Sequence, residues 1–536
     1  MSTTPAETIE GTENGSLPTA EQLLRRRADH KPNVIALSDP PNRPAFGLGN
    51  PRSLTYREAD AAVDALAAFF AGRDLSPGDV IAVQLPNFAF SPLTLLGAWR
   101  AGLSVALLPL LWRGHEIGRA CAEIGAKALV GVSCFGDETP IETLSAVATG
   151  QSSIRFVLGF GPHLPDGIGS LDEAMNGDRE VRQVEASPRT GPAMITFTAR
   201  AGSPLVTVAR SEEELLAQGA MTVLALDLDG SDVILNPYPL TAPAGLSLGF
   251  LPWLISGATL AQHHPFDYSV FAEQLIATGA TVTALPSPVL DELAKDGVPQ
   301  LPQCRLRRVG AVWTGLEQSG PPAVPFGGEA AFFDLYPLGD LAGIVIKRES
   351  AENPAPVPLG EIQIAGGGDD AVFVETKLAP LRDSEGYAEI LLRGPVVPDE
   401  QAEGPLAPDD DGFIGTGLRG KRSGSTGMDL QLKGDPELLR HGGVAIAASE
   451  FDDLYRSFPA FLDAACFVLP DPEAGDRVVA AVVPRPGALV ALEALNRFLE
   501  ERKVAPYKYP DKIVIVRQIP RDADGRVLRE QILSQV

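Results

Sequence analysis

What this chain has little of narrows it first. It has four cysteines among 536 residues, Cys121, Cys134, Cys304 and Cys466, all far apart in sequence. They supply neither a disulfide framework nor the close spacing of a metal site. That scarcity fits a reducing compartment, so a cytoplasmic location is expected. Positive charge is in deficit, with 44 Lys and Arg against 69 Asp and Glu and a formal charge of −25. So acidic a surface repels nucleic acid and anionic membranes at long range, and neither is expected as a partner. There is no Walker-type phosphate loop. Residues 1–16 have no basic start and no apolar core, which excludes a secretory leader and reads as a disordered tail. Long apolar runs are also scarce. Ala242 to Ala261 is uncharged and long enough to be mistaken for a membrane span, but Pro243, Pro252, Gly245, Gly249 and Gly257 read instead as a segment of a protein core.

What is present is patterning. From Leu54 onward, runs of Val, Ile and Leu alternate with Ala- and Leu-rich amphipathic stretches, as in parallel sheets covered by helices. The spacing predicts helices over Glu58–Gly72, Pro92–Ala101 and Pro288–Lys295, and strands over Val80–Leu85, Ala128–Val132 and Thr281–Leu285. Between Pro354 and Pro408 the chain changes to short strands separated by Gly, Pro and acidic turns. Gly415 to Gly434 is polar and glycine-rich and reads as a linker or hinge. After it comes an αββαβ series: helix Ser449–Arg456, strands Ala464–Leu469 and Arg477–Val483, helix Leu492–Arg502 and strand Ile513–Arg517. The expected domains are therefore 17–433 and 434–536. The expected fold class is α/β, with a large N-terminal domain of helix-covered sheets, a small barrel-like subdomain, and a smaller, mobile α+β C-terminal domain.

Some motif matches fail on context. Gly415-Thr416-Gly417-Leu418-Arg419-Gly420 fits the dinucleotide fingerprint, but three aspartates precede it and no helix can follow. Gly245-Leu246-Ser247-Leu248-Gly249 matches an esterase nucleophile elbow, yet prolines precede it where a central strand is required, so a glycine-punctuated helix start is expected. His263 and His264 are neighbours that cannot share one face of a strand, and a loop pair is expected rather than a metal site. Gly366-Gly367-Gly368 reads as a turn.

Other segments, in order along the chain, carry a resemblance. Leu54-Thr55-Tyr56-Arg57-Glu58, Pro77-Gly78-Asp79-Val80 and Leu85-Pro86-Asn87 stand near the start. Glu450, Leu469-Pro470-Asp471-Pro472, Tyr507-Lys508-Tyr509-Pro510-Asp511 and the stretch Ile519-Pro520 to Arg526 stand near the end. Together they resemble the acyl-CoA synthetase, or AMP-binding, superfamily from about Leu17 onward. That resemblance implies activation of a carboxylic acid by ATP and Mg²⁺ to an acyl-adenylate, followed by transfer to a thiol such as CoA. It implies nucleotide contacts at Thr198, Gly202, Tyr336, Asp340 and Thr416, a metal contact at Asp340, and a catalytic cation at Arg526, where the family carries lysine. An acyl pocket is implied along Pro237–Phe250 and Ala311–Gly315. Its lack of charge points to an apolar acid, whether fatty, aryl or short-chain.

The same motifs depart from the family pattern. Leu205 stands where the phosphate loop has its lysine, with Arg200 and Arg210 as the nearby cations. Tyr336-Pro337-Leu338-Gly339-Asp340 replaces Tyr-Gly-x-Thr-Glu. Leu418 replaces the aspartate that accepts the ribose hydroxyls, and Asp435-Pro436-Glu437 replaces a hinge-side arginine. Each charge-assisted hydrogen bond lost costs about 1.5–3 kcal/mol, so losing the ribose pair lowers nucleotide affinity by several decades. Two readings stay open. One is a ligase whose adenylation is weak or lost; the other is a non-catalytic acyl-binding or regulatory subunit derived from this fold.

Overall fold

The computed structural model describes residues 18–176, 184–313, 330–349, 354–364, 371–398, 404–424, 427–435, 437–441, 444–471, 475–523 and 525–534. The expected N-terminal tail, the triple-glycine turn and part of the implied acyl pocket, Thr314 and Gly315, lie outside these residues. The described residues form two compact units. The first draws on Met1–Leu110, Ile124–Thr196 and Val208–Lys433, the second on Leu111–Glu123, Phe197–Thr207 and Gly434–Val536.

Two helix-covered sheets dominate the first unit. One has eight strands in the order Ala342–Lys347, Ala331–Leu338, Arg308–Val312, Val282–Leu285, Val233–Asn236, Thr259–Gln262, Ile35–Ser38 and Ser53–Thr55. Its interior is parallel and its two outermost pairings are antiparallel. The other has seven strands, with Val80–Val83 flanked in parallel by Ser104–Leu107 and Ala128–Val132. The predicted strand Ala128–Val132 is buried throughout, and the predicted helix at Pro92 is observed as Phe90–Arg100, every residue of it buried. Helices begin where their sequences allow a reciprocal cap. Thr55 and Glu58 cap Tyr56–Ala71, and Ser211 and Glu214 cap Glu212–Leu226. Within that second helix a Cβ at Gly219 would lie 2.9 Å from Leu251 Cβ, so glycine lets the helix Leu251–Ser256 pack closely.

The barrel-like subdomain is a six-stranded antiparallel sheet ordered Val357–Pro358, Asp429–Lys433, Ile414–Ser423, Ala388–Arg393, Ala371–Leu378 and Gly360–Ile364. Its two edge strands are separated by Leu359 alone, so the sheet curls round on itself, and Thr376 Oγ1 donates to Pro358 O at 2.6 Å across the gap. This sheet corrects one expectation. Most of Gly415–Gly434, read above as a hinge, is a paired hairpin of Ile414–Ser423 and Asp429–Lys433. Ile414, Thr416 and Leu418 face inward while Gly415, Gly417 and Arg419 face outward. The segment alternates as a strand does, with glycines at outward positions masking the pattern.

The C-terminal part of the second unit follows the predicted order: helix Ala448–Arg456, strands Phe461–Asp471 and Gly475–Pro484, helix Leu492–Glu501 and strand Lys512–Ile515. Alternation sends Ala464 and Cys466 to one face, against Phe451, Tyr455 and Leu499, and Ala465 and Phe467 to the other, against Ile519, Val527 and Ile532. Within this unit Lys508, buried, places its Nζ 3.0 Å from Glu116 and 3.0 Å from Glu450, and Arg119 pairs with Glu450 at 2.9 Å. The backbone N–H of Ala505 adds a hydrogen bond to Glu116 at 3.2 Å. The Lys508 ammonium and the Arg119 guanidinium together match the two carboxylates in charge, and the ions are hydrogen-bonded, which burial requires.

Candidate functional site

Three of the candidate nucleotide residues come together in the first unit, around one tight turn. The strands Ala331–Leu338 and Ala342–Lys347 pair antiparallel, with Leu338 opposite Ala342. Between them Gly339 and Asp340 take φ of +62° and +59°, and the N–H of Leu341 donates to Leu338 O at 3.0 Å. Two successive positive φ values are the mirror-image turn that matches the twist of a hairpin, and glycine takes the first position without steric cost. A Cβ on Gly339 would lie 1.9 Å from the backbone oxygen of Thr416. The threonine that the family pattern places at this position therefore has no room here.

The turn is braced from several sides. Arg210, buried, donates to Asp340 O at 2.9 Å, to Leu341 O, and to Val396 O at 3.4 Å. Burial lowers its pKa to about 10 against the raising influence of Glu214 and Asp340. Gln218 holds Gly343 through both backbone groups, donating to its O at 2.8 Å and accepting from its N–H at 3.0 Å. Arg210 was recognisable in the sequence as a nearby cation. Gln218 was not, since a single polar residue on an apolar helix face carries no motif.

The other candidate side chains in this unit are engaged internally. Tyr336 is buried and donates its hydroxyl to Ala355 O at 2.6 Å, so the stacking face implied for it is turned into the protein. Burial raises its pKa, with Asp334 contributing. Thr416 is buried, donates to Ile390 O at 2.8 Å and accepts from the N–H of Leu418 at 3.1 Å. Leu418 is 3% exposed, so the position where the family has a ribose acceptor is part of the core. Asp340 is half-buried at the hairpin turn. Among the described residues no group of three or more His, Cys, Asp or Glu gathers to hold a metal ion by itself, and Asp340 is a single carboxylate of the kind that holds Mg²⁺ together with nucleotide phosphates and water.

The phosphate-loop counterpart is a β-hairpin, of which Phe197–Thr207 belongs to the second unit. Met194–Arg200 and Ser203–Arg210 are joined through Ala201 and Gly202, the latter at φ +76°. Thr198 is buried and accepts from Arg200 Nη1 at 3.1 Å, and the same nitrogen donates to Ala199 O at 3.0 Å. Arg526 is exposed in the closing turn, where its backbone N–H donates to Asp522 at 2.8 Å.

The rejected motifs behave as their context demanded. Gly415–Gly420 lies within a strand rather than at a helix start. Ser247 lies in a π-helical turn, Gly245–Phe250, that leads into the helix Leu251–Ser256. His263 sits beyond the strand Thr259–Gln262, with Nδ1 2.8 Å from Gln274 Oε1 and Nε2 accepting from Asp267 N at 3.1 Å. No helix among the described residues is long and apolar enough to cross a membrane. Of the implied acyl-pocket residues, Pro237, Tyr238 and Leu248 line a small, mostly apolar cavity with Asn236, Thr283 and Phe333. The Phe333 ring lies where a side chain on Gly310 would be, 2.3 Å from its ideal Cβ.

Comparison with known proteins accords with this architecture. The chain is 26% identical to a salicylyl-CoA synthase / salicylate adenylyltransferase of Streptomyces sp, over 90% of this chain and 89% of the relative. It is 26% identical to the salicyl-AMP ligase / salicyl-S-ArCP synthetase of Mycobacterium tuberculosis, over 97% of this chain and 91% of that one. Its fold matches the amide bond synthetase McbA of Marinactinospora thermotolerans, with a TM-score of 0.71 at 20% identity over 96% of this chain and 99% of the other. It also matches a double mutant of o-succinylbenzoate CoA synthetase from Bacillus subtilis, with a TM-score of 0.73 at 20% identity over 96% and 98%. The model of the AMP-binding enzyme family matches residues 24–397, and that of the AMP-binding enzyme C-terminal domain matches residues 450–526. The chain therefore belongs to the AMP-binding enzyme family.

Proposed function

We propose that this protein binds a small aromatic carboxylic acid as an acyl-CoA synthetase-type ligase, and that its capacity to form the acyl-adenylate from MgATP is weak or lost. The names of its relatives support the acid class, since salicylate, indoleacetate and 4-coumarate all carry an aromatic ring. The observation that carries the second half is the Gly339–Asp340 turn. It packs against the Thr416 carbonyl where the family pattern needs a threonine hydroxyl, and its neighbour Leu418 is a buried hydrocarbon where a carboxylate is needed. Arg526 retains a cation in the closing turn, but a guanidinium is broader than an ammonium and directs its charge differently. CoA and independent motion of residues 434–536 belong to this reading as carry-over from the resemblance, and a cytoplasmic location belongs to it on the scarcity of cysteine.

The test is calorimetry with MgATP beside carboxylate-dependent pyrophosphate exchange over a panel of benzoic, cinnamic and medium-chain fatty acids. The expected outcome is a dissociation constant no tighter than millimolar and exchange near background. Micromolar nucleotide binding with rapid exchange would establish an ordinary ligase with relocated contacts.

A further inference from the structure

Between the helices Ala20–His30 and Tyr56–Ala71, both in the first unit, lies a cleft of about 380 Å³, a size usual for small-molecule sites. The first helix lines it with Ala28 and Asp29, the second with Arg57, Asp60, Ala61 and Asp64. The last four are spaced i, i+3, i+4 and i+7, one stripe along the helix, and a stripe facing a neighbouring helix is ordinarily apolar. Behind this one, two arginines close a ring of ions. Arg25 meets Asp60 at 3.2 Å and Asp64 at 2.6 Å, and Arg100 meets Asp60 at 2.7 Å and Asp64 at 2.8 Å. Arg100 is 1% exposed, on the helix Phe90–Arg100 whose every residue is buried. Hydrophobic side chains of similar volume would hold such helices together at least as well. The ring is therefore better explained by what it positions, two carboxylates fixed at a cleft, than by stability.

The ring leaves one acceptor over. Asp64 is 5% exposed, and its Oδ1 takes three donors, Arg25, Arg100 and the N–H of Val184 at 3.1 Å. Its Oδ2 has no hydrogen-bond partner among the described residues and is not sealed from solvent, so it opens on the cleft that Asp64 lines. A carboxylate oxygen held in this way is an acceptor for a cationic donor. At the rim, Arg57 is exposed and its side chain has no partner among the described residues. It offers the opposite charge, seven residues from Asp64 in sequence and about 10 Å along the helix. The ammonium and carboxylate on the α-carbon of an amino acid stand too close together to reach both groups. A flexible chain with one charge at each end spans them, and Ala28 and Ala61 leave the space it needs.

We propose that this cleft binds a linear ω-amino acid, its ammonium on Asp64 and its carboxylate on Arg57. The site shares no residue with the candidate nucleotide and acyl positions, and it rests neither on adenylation nor on the acid class proposed above. It is tested on the full chain without nucleotide, by calorimetry with 6-aminohexanoate and hexylamine as probes. The amino acid is expected to bind about three- to fivefold tighter than the amine, the size of one exposed ion pair. Arg57→Gln is expected to bring 6-aminohexanoate to the level of hexylamine and to leave hexylamine within twofold. Ala61→Leu fills the cleft without touching the ion ring, and is expected to weaken both probes about tenfold while far-UV circular dichroism stays that of the parent. Ala28→Leu fills the same space from the other helix if Ala61→Leu does not fold. Heats no larger than dilution with both probes overturn the site. Binding that survives the filled cleft places the probes elsewhere and overturns it too. An equal loss of both probes in Arg57→Gln overturns the carboxylate contact.

Discussion

Restoring the family's threonine at Gly339 should damage the fold instead of repairing the site. Two costs arise, and both are visible in the turn. Threonine would have to hold φ near +62°, a region that costs a residue with a Cβ about 1–2 kcal/mol, and β-branching adds to it. Its Cβ would also lie 1.9 Å from Thr416 O, 2.6 Å from its carbonyl carbon and 2.7 Å from its Cα. All three are backbone atoms that no rotamer change can clear, and overpacking of this kind costs about 1–3 kcal/mol. Together, Gly339→Thr should lose roughly 3–5 kcal/mol, a large share of the about 5–15 kcal/mol typical of folded domains. Asp340→Gly, which relieves a positive φ without adding atoms, should be neutral or slightly stabilising. The assay is urea denaturation followed by far-UV circular dichroism, comparing midpoints at constant slope. MgATP titration of the folded fraction should show no gain in nucleotide affinity. A Gly339→Thr variant within about 0.5 kcal/mol of the parent, close to measurement error for surface changes, would refute the steric argument. One that also gained tight ATP binding would refute the proposed loss of function.

The other predictions concern buried charge. Leu418→Asp should destabilise the first unit by about 3–5 kcal/mol without improving ATP binding, because it buries an unpaired carboxylate; thermal melts and calorimetry check both halves, and an ATP-tightening variant of normal stability contradicts it. Lys508→Met should cost about 3–5 kcal/mol by leaving Glu116 and Glu450 facing each other without their shared cation, and restoring stability with Glu116→Gln in the same chain would identify the cause. Burial lowers the pKa of His264 from 6.5 to about 4, with His263 adding to the shift. Its folded pKa is thus below its unfolded one, so the stabilisation is complete above pH 6.5 and falls as pH drops toward 4, by about 1–2 kcal/mol at pH 5. His264→Gln should therefore lose less stability than the parent between pH 7.5 and 5, and equal losses would show that His264 is not responsible.

Where the sequence was legible, the period of apolar residues carried it. Ala128–Val132 and the αββαβ series were readable because each strand or helix presents an unbroken face to a core. Ile414–Ser423 was not, because glycines at Gly415 and Gly417 fill outward positions and mimic a linker. The motif positions could be aligned one by one, yet alignment could not reveal that Gly339 and Thr416, 77 residues apart, share one contact. Nor could it reveal that the hydroxyls of Tyr336 and Thr416 are already taken by backbone carbonyls. Side chains engaged inside the fold look the same in sequence as side chains waiting for a ligand.

The Glu116–Lys508 cluster has a bearing on how the chain is made. Glu116 accepts from the N–H of Ala505, 389 residues later in the chain. At about 5–20 residues per second, synthesis leaves the helix Gly114–Ile124 without these partners for about 20–80 s after its own residues have emerged. During that interval a carboxylate destined for burial has no cation, and the apolar face beside it has no cover. Such a segment invites chaperone binding, and its capture should end only once Ala505 and Lys508 have left the ribosome.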